Sequence, residues 1–124
     1  MKISNDFRKK YSLEQRTAES NKICLKYTDK IPAIVTKSKH KDAKNLPDID
    51  KNKFLIPSDI TLAQFMYVIR KRITLNHGES IFFFGDDKSL LVSSHNMSTI
   101  YNEHKNEDGF LYLTYCTEST FGSL

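Results

Sequence analysis

The sequence predicts an α+β domain, a small mixed sheet carrying two core helices and preceded by a helical extension. Three observations point there. The run Lys51 to Ile73 compresses a strand, a turn and a helix into one stretch. Phe110-Leu111-Tyr112-Leu113-Thr114-Tyr115 is an unbroken series of β-favouring residues, apolar enough to lie in the middle of a sheet. Elsewhere the apolar spacing switches between two and three-to-four along the chain, the mark of alternating strands and helices.

Taken in order, Phe7-Arg8-Lys9-Lys10-Tyr11 is a basic, aromatic opening. Ser12-Leu13-Glu14-Gln15 has the form of a capping box, so a helix starts near Leu13 and runs to about Tyr27. Its apolar residues, Leu13, Ala18, Ile23, Cys24 and Tyr27, are sparse, which places it outside the core. Ile31 to Lys37 alternates as a first strand, with Pro32 tolerable only near a strand start or on an edge. Ser38 to Asp50 is a polar, lysine-rich loop leading to a second, antiparallel strand at Phe54-Leu55-Ile56, which Pro57 ends. Thr61-Leu62-Ala63-Gln64 is a second capping box, and Leu62, Phe65, Met66, Ile69 and Ile73 give the following helix one apolar face. Its last turn carries Arg70, Lys71 and Arg72, matched to the helix dipole. Ile81-Phe82-Phe83-Phe84 is a third strand, Gly85 to Ser89 a turn, and Met97, Ile100 and Tyr101 mark a short helix within Ser94 to His104. Asn106-Glu107-Asp108-Gly109 turns the chain into the last strand. The order strand, strand, helix, strand, helix, strand is that of a β-grasp sheet, with the first and last strands paired centrally. The expected organisation is an extension over 1–29, the β-grasp unit over 30–116 and a tail over 117–124, together one compact domain.

At 124 residues the chain is long enough to bury a core without a disulfide or metal. Cys24 and Cys116 are far apart, and the four histidines are scattered, so neither a disulfide framework nor a zinc site is expected. His77, His95 and His104 read as surface residues. No apolar run reaches the roughly 18 residues of a membrane span, and no signal-peptide core follows Met1, so the expectation is a cytosolic or nuclear chain. Residues 1–53 hold 14 Lys and Arg against 7 Asp and Glu, whereas residues 54–124 hold 5 against 8. The basic half asks for an acidic partner: nucleic acid, anionic lipid or an acidic peptide. No Ser/His/Asp, Cys/His or carboxylate pair is placed by neighbouring signals, and no glycine-rich phosphate loop appears, so an enzyme is not expected.

Five linked segments, Lys53-Phe54-Leu55-Ile56-Pro57-Ser58-Asp59, Ile69-Arg70-Lys71-Arg72-Ile73, Ile81-Phe82-Phe83-Phe84, Asp108-Gly109-Phe110-Leu111-Tyr112 and Thr120-Phe121-Gly122, together resemble the autophagy-related protein 8 family, to which GABARAP belongs. The resemblance spans about Ser12 to Gly122. It implies a ubiquitin-like β-grasp modifier that is a monomer in solution, with no nucleic-acid partner and no cofactor beyond a covalent lipid. A cysteine protease would cut between Gly122 and Ser123, beside Phe121. Activating (E1-like) and conjugating (E2-like) enzymes would then join Gly122 to phosphatidylethanolamine on autophagosome or related membranes. The resemblance also implies docking of aromatic-x-x-aliphatic segments of cargo receptors and adaptors along the second strand. An aromatic pocket would be lined by Glu19, Ile23, Pro32, Ile34, Lys53, Leu55 and Phe110, and an aliphatic pocket by Phe54, Ile56, Pro57, Ile60, Phe65 and Val68. Lys30, Lys51, Lys53 and Arg72 would meet acidic residues flanking the motif. Ile81 to Phe84 matches a second docking surface of the family, although core strand is the plainer role.

The sequence departs from the family pattern at Thr28, where proline is usual, at Asn52, where lysine is usual, and at Cys24, where a basic residue is common. The loop 38–50 is longer than usual, and 85–94 lacks a proline-containing turn. Two other readings stay open on sequence: an unconjugated β-grasp scaffold, and a basic nucleic-acid-binding module. Asp86, Asp87, Glu103, Glu107 and Asp108 put acidic charge beside the aromatic strands, against the latter.

Overall fold

A computed structural model describes residues 6–38, 49, 51–73 and 80–117 of the chain. Two helices lead, α1 (Asp6–Lys10) and α2 (Leu13–Lys26), followed by strands β1 (Lys30–Lys37) and β2 (Lys53–Pro57). Helix α3 (Leu62–Arg72), strand β3 (Ile81–Phe84), helix α4 (Met97–His104) and strand β4 (Leu111–Thr117) complete the described elements. The four strands form one sheet in the order β2-β1-β4-β3. β1 pairs antiparallel with β2 and parallel with β4, and β3 pairs antiparallel with β4. This is the β-grasp arrangement the element order predicts, with first and last strands at the centre.

Local sequence sets the helix starts. The Ser12 hydroxyl accepts from the Gln15 amide while the Gln15 side chain accepts from the Ser12 amide, and Thr61 and Gln64 repeat this at α3. Each box satisfies two of the amides that a helix start leaves without partners. Helix α4 begins at Asn96 with no side-chain cap. Pro32 is accommodated because β1 has only β2 as a neighbour there: pairing to β4 begins at Ala33. The last strand begins at Leu111, so Phe110 stands just outside the ladder.

The main core lies between the sheet and the helices α3 and α4. Ile31, Ala33 and Val35 of β1, Leu62, Phe65 and Ile69 of α3, Met97 and Ile100 of α4, and Leu111, Leu113 and Tyr115 of β4 all bury there. On the opposite face a smaller cluster gathers Phe7, Ile34, Phe110 and Tyr112, with Ile23 packed against it. Both faces of β1 are therefore covered, which is why Ile31 to Thr36 are buried without interruption. Helix α2 buries only Ser20, in keeping with its thin apolar pattern.

A polar network ties α2 to the start of β4. Asp108 is fully buried and its carboxylate accepts from Arg16 at 2.6 Å, from the Tyr112 hydroxyl at 2.6 Å and from the Phe110 amide at 2.8 Å. The Ser20 hydroxyl donates to the Asp108 carbonyl. Gly109 has φ +89°, and a β-carbon there would meet the Ser20 side chain, so only glycine lets the helix approach this closely. Both cysteines are free, Cys116 buried and Cys24 half-buried.

Candidate functional site

The two faces of β2 set the geometry of the candidate site. Successive side chains of a strand point to opposite faces. Lys53 and Leu55 face α2, while Phe54 and Ile56 face α3, where Phe54 meets Phe65 edge-on at 5.6 Å between centroids. In the strand order β2 is terminal, so its outer edge has no neighbouring strand among the described residues. A chain added along that edge as a new strand would send residues three apart to opposite faces.

On the α2 face, Ile34 pairs across the sheet with Lys53 on one side and Tyr112 on the other, and Pro32 pairs with Leu55. Ile34 and Phe110 are buried, Ile23 lies against them, and Leu55 is 38% exposed. Lys53 is ion-paired with Glu19, linking β2 to α2. The seven residues expected for the aromatic pocket thus come from α2, β1, β2 and the residue preceding β4, and they share one face of the sheet.

On the α3 face, Phe54, Ile56 and Phe65 are buried in the main core. Pro57 and Ile60 are half-buried, and Val68 is 42% exposed. The expected aliphatic pocket therefore combines core side chains with a more open rim.

Cations stand near the ends of β2. The Lys51 ammonium lies 5.1 Å and the Arg72 guanidinium 5.5 Å from the centroid of the Phe54 ring. Lys30 reaches Asp29 at 3.5 Å, a contact open enough to be worth little. Positive charge at the ends of β2 suits a peptide with acidic flanks.

Several residues at the site went unread in the sequence. Phe7 packs edge-on against Phe110 at 5.0 Å, and Arg8 stacks 3.9 Å over the Tyr112 ring while its guanidinium grips Asp86 through two bonds of 2.8 and 3.1 Å. Their type was visible in the basic, aromatic opening, but nothing local announced a partner 78 positions away. Asp108, which fixes the Phe110 amide, read as part of a turn. His104 is less exposed than expected, lying 3.8 Å from Asp87 and 3.9 Å from Glu103. In β3, Ile81 and Phe83 are buried while Phe82 and Phe84 are half-buried. Phe121, Gly122 and Ser123, expected at the processing site, and His77 lie outside the described residues.

Among the described residues no group of His, Cys, Asp and Glu could hold a metal ion, and no helix is long and apolar enough to cross a membrane.

Comparison with known proteins settles the family. The sequence profile described as "Autophagy protein Atg8 ubiquitin like" matches residues 15–122. The chain belongs to the Atg8 family. It is 51% identical to autophagy-related protein 8a of Arabidopsis thaliana over 99% of this chain and 93% of that one. It is 49% identical to autophagy-related protein 8B of Oryza sativa subsp. indica, covering 97% of this chain and 98% of that one. The crystal structure of Trypanosoma brucei ATG8 superposes with a TM-score of 0.81 at 34% identity, covering 90% of this chain and 93% of that one. The sheet order and the two leading helices are thus those of an Atg8-family, ubiquitin-like autophagy protein.

Proposed function

We propose that this Atg8-family chain is a lipid-conjugated modifier that recruits cargo receptors and adaptors to autophagosomal membranes, rather than an enzyme. In this reading a cysteine protease removes Ser123 and Leu124, and the Gly122 carboxyl is activated as an adenylate and then a thioester. It finally forms an amide with the amine of phosphatidylethanolamine. Glycine suits that position because a tail residue without a β-carbon passes a narrow channel and leaves its carbonyl open to attack. Two acyl chains then hold the domain on a membrane, where one would bind only marginally.

The recruiting half rests on one observation: the open edge of β2 carries its two candidate pockets on opposite faces. An aromatic-x-x-aliphatic segment added as a strand has its two anchors an odd number of residues apart, so they diverge to opposite faces as the pockets require. Main-chain bonds to the edge supply affinity, and the pockets supply specificity. Glu19, Ile23, Pro32, Ile34, Lys53, Leu55 and Phe110 take the aromatic residue, and Phe54, Ile56, Pro57, Ile60, Phe65 and Val68 take the aliphatic one. Lys30, Lys51, Lys53 and Arg72 attract the acidic flank. Family membership supports partners in the autophagy pathway, including the processing protease and the activating and conjugating enzymes.

The test is the intact mass of the protein recovered from the soluble and membrane fractions of its own cells. A chain ending at Gly122 in solution, and the same chain carrying one phosphatidylethanolamine on membranes, is the expected result. A chain ending at Leu124 in both fractions would overturn conjugation and leave an unconjugated docking scaffold.

A further inference from the structure

We propose that Phe7 is a specificity-determining wall of the aromatic pocket, held in place by an Arg8 latch on Asp86. The proposal rests on the docking reading above and adds a residue from outside the expected lining.

The row Lys53, Ile34, Tyr112 crosses three strands in register on the α2 face of the sheet. Phe7 lies over this row. It belongs to the buried cluster of Ile34, Phe110 and Tyr112, and the Lys53 ammonium stands 5.3 Å from its ring centroid. Ile34 is 1% and Phe110 0% exposed, so the floor that these two residues offer an incoming ring is already covered. An aromatic side chain of the same protein occupies the inner side of the site, and Leu55, 38% exposed, marks the side that stays open.

Phe7 is held by its neighbour. The Arg8 guanidinium makes a forked pair with Asp86, which also accepts from the Asn106 amide at 3.0 Å, and its flat face rests on Tyr112. These contacts fasten the short helix α1 to the turn after β3, across the central strand β4. The fastening is incomplete: Arg8 Nε is buried with no hydrogen-bond partner among the described residues. Such a donor raises the free energy of the closed arrangement, which makes α1 a wall that yields. A phenyl anchor fits beside Phe7. An indole needs the depth over Ile34 and so must push Phe7 aside, at the expense of the latch.

The experiment is calorimetric titration of the full chain with two synthetic peptides that differ only in their anchor, acidic-flanked Trp-x-x-Leu and Phe-x-x-Leu. In Phe7→Ala the ratio of the two Kd values shifts toward Trp by about tenfold, the discrimination that a pocket gains from matching apolar volume. Asp86→Asn, which lies outside the pocket, shifts it the same way by about threefold, as expected for a partly exposed ion pair. Phe7→Leu gives an intermediate shift if the alanine variant does not fold. A ratio unchanged or moved toward Phe in these variants, while Leu55→Ala weakens binding of both peptides, overturns the wall alone. Failure of the wild-type chain to bind either peptide overturns the docking reading and the wall with it.

Discussion

The α3/α4 face of the sheet and the α1/α2 face bury their residues by different means. On the first, 18 buried apolar residues among those described form one cluster. On the second, the buried cluster is Phe7, Ile34, Phe110 and Tyr112, and the helices above it are held by charge and hydrogen bonds centred on Asp108 and Asp86. Apolar burial is non-directional and scales with area, whereas a polar network is directional and is weakened wherever a member is left unsatisfied. The first face therefore carries the stability of the fold. The second carries a geometry, the spacing of α2 and α1 over β1 and β2, on which the proposed aromatic pocket depends.

Substitutions on the two faces separate these roles. Phe83 is 1% exposed and packs between Phe65 and Tyr115. Phe83→Ala removes a ring from the shared core and is expected to cost about 3–5 kcal/mol, much of the stability of a typical domain. Urea unfolding measures this, with all elements losing protection together. Asp108→Ala is expected to cost about 3 kcal/mol, because Arg16, the Tyr112 hydroxyl and the Phe110 amide lose one shared acceptor. Hydrogen exchange should locate the loss first in α2 and the turn at 106–110, with α3 still protected. Uniform loss across both helices would break the distinction between the faces.

Much of the fold was legible because its determinants are local. Ser12 and Thr61 announce their helices within four residues, and the β-favouring run at Phe110 to Tyr115 identifies the central strand. The pairing of β1 with β4 followed from element order alone. The α1/α2 face was less legible for the opposite reason: Arg16 meets Asp108 across 92 positions and Arg8 meets Asp86 across 78, and no periodicity encodes such pairs. Candidate pocket residues on β1 and β2 are named only by resemblance. That Phe7 packs with Ile34 and Phe110 depends on how a short helix closes over the sheet, and its sequence shows only an aromatic residue among lysines and arginine.

Alkaline pH sharpens the comparison most finely, through Tyr101 at the seam between the faces. Its hydroxyl donates to the Gly109 carbonyl at 2.7 Å and lies 4.0 Å from Cys24 Sγ. Burial, with the neighbouring Cys24 and Asp108, pushes this phenol from 10.0 up to about 12. A folded value above the unfolded one means that the native state holds the proton more tightly. The contribution is complete below pH 10 and is lost as pH rises through 12. The informative quantity is the difference between wild type and Tyr101→Phe, in which contributions common to both proteins cancel. Phenylalanine forfeits the bond to Gly109, costing about 1 kcal/mol at neutral pH, and this gap should narrow between pH 10 and 12 as the phenol ionises in the unfolded wild-type chain while the native state still holds its proton. Urea unfolding of both proteins from pH 8 to 12 measures it. A gap that stays constant would mean that the α2–α4 seam opens enough to hydrate Tyr101, and that the polar face is looser than its hydrogen bonds imply.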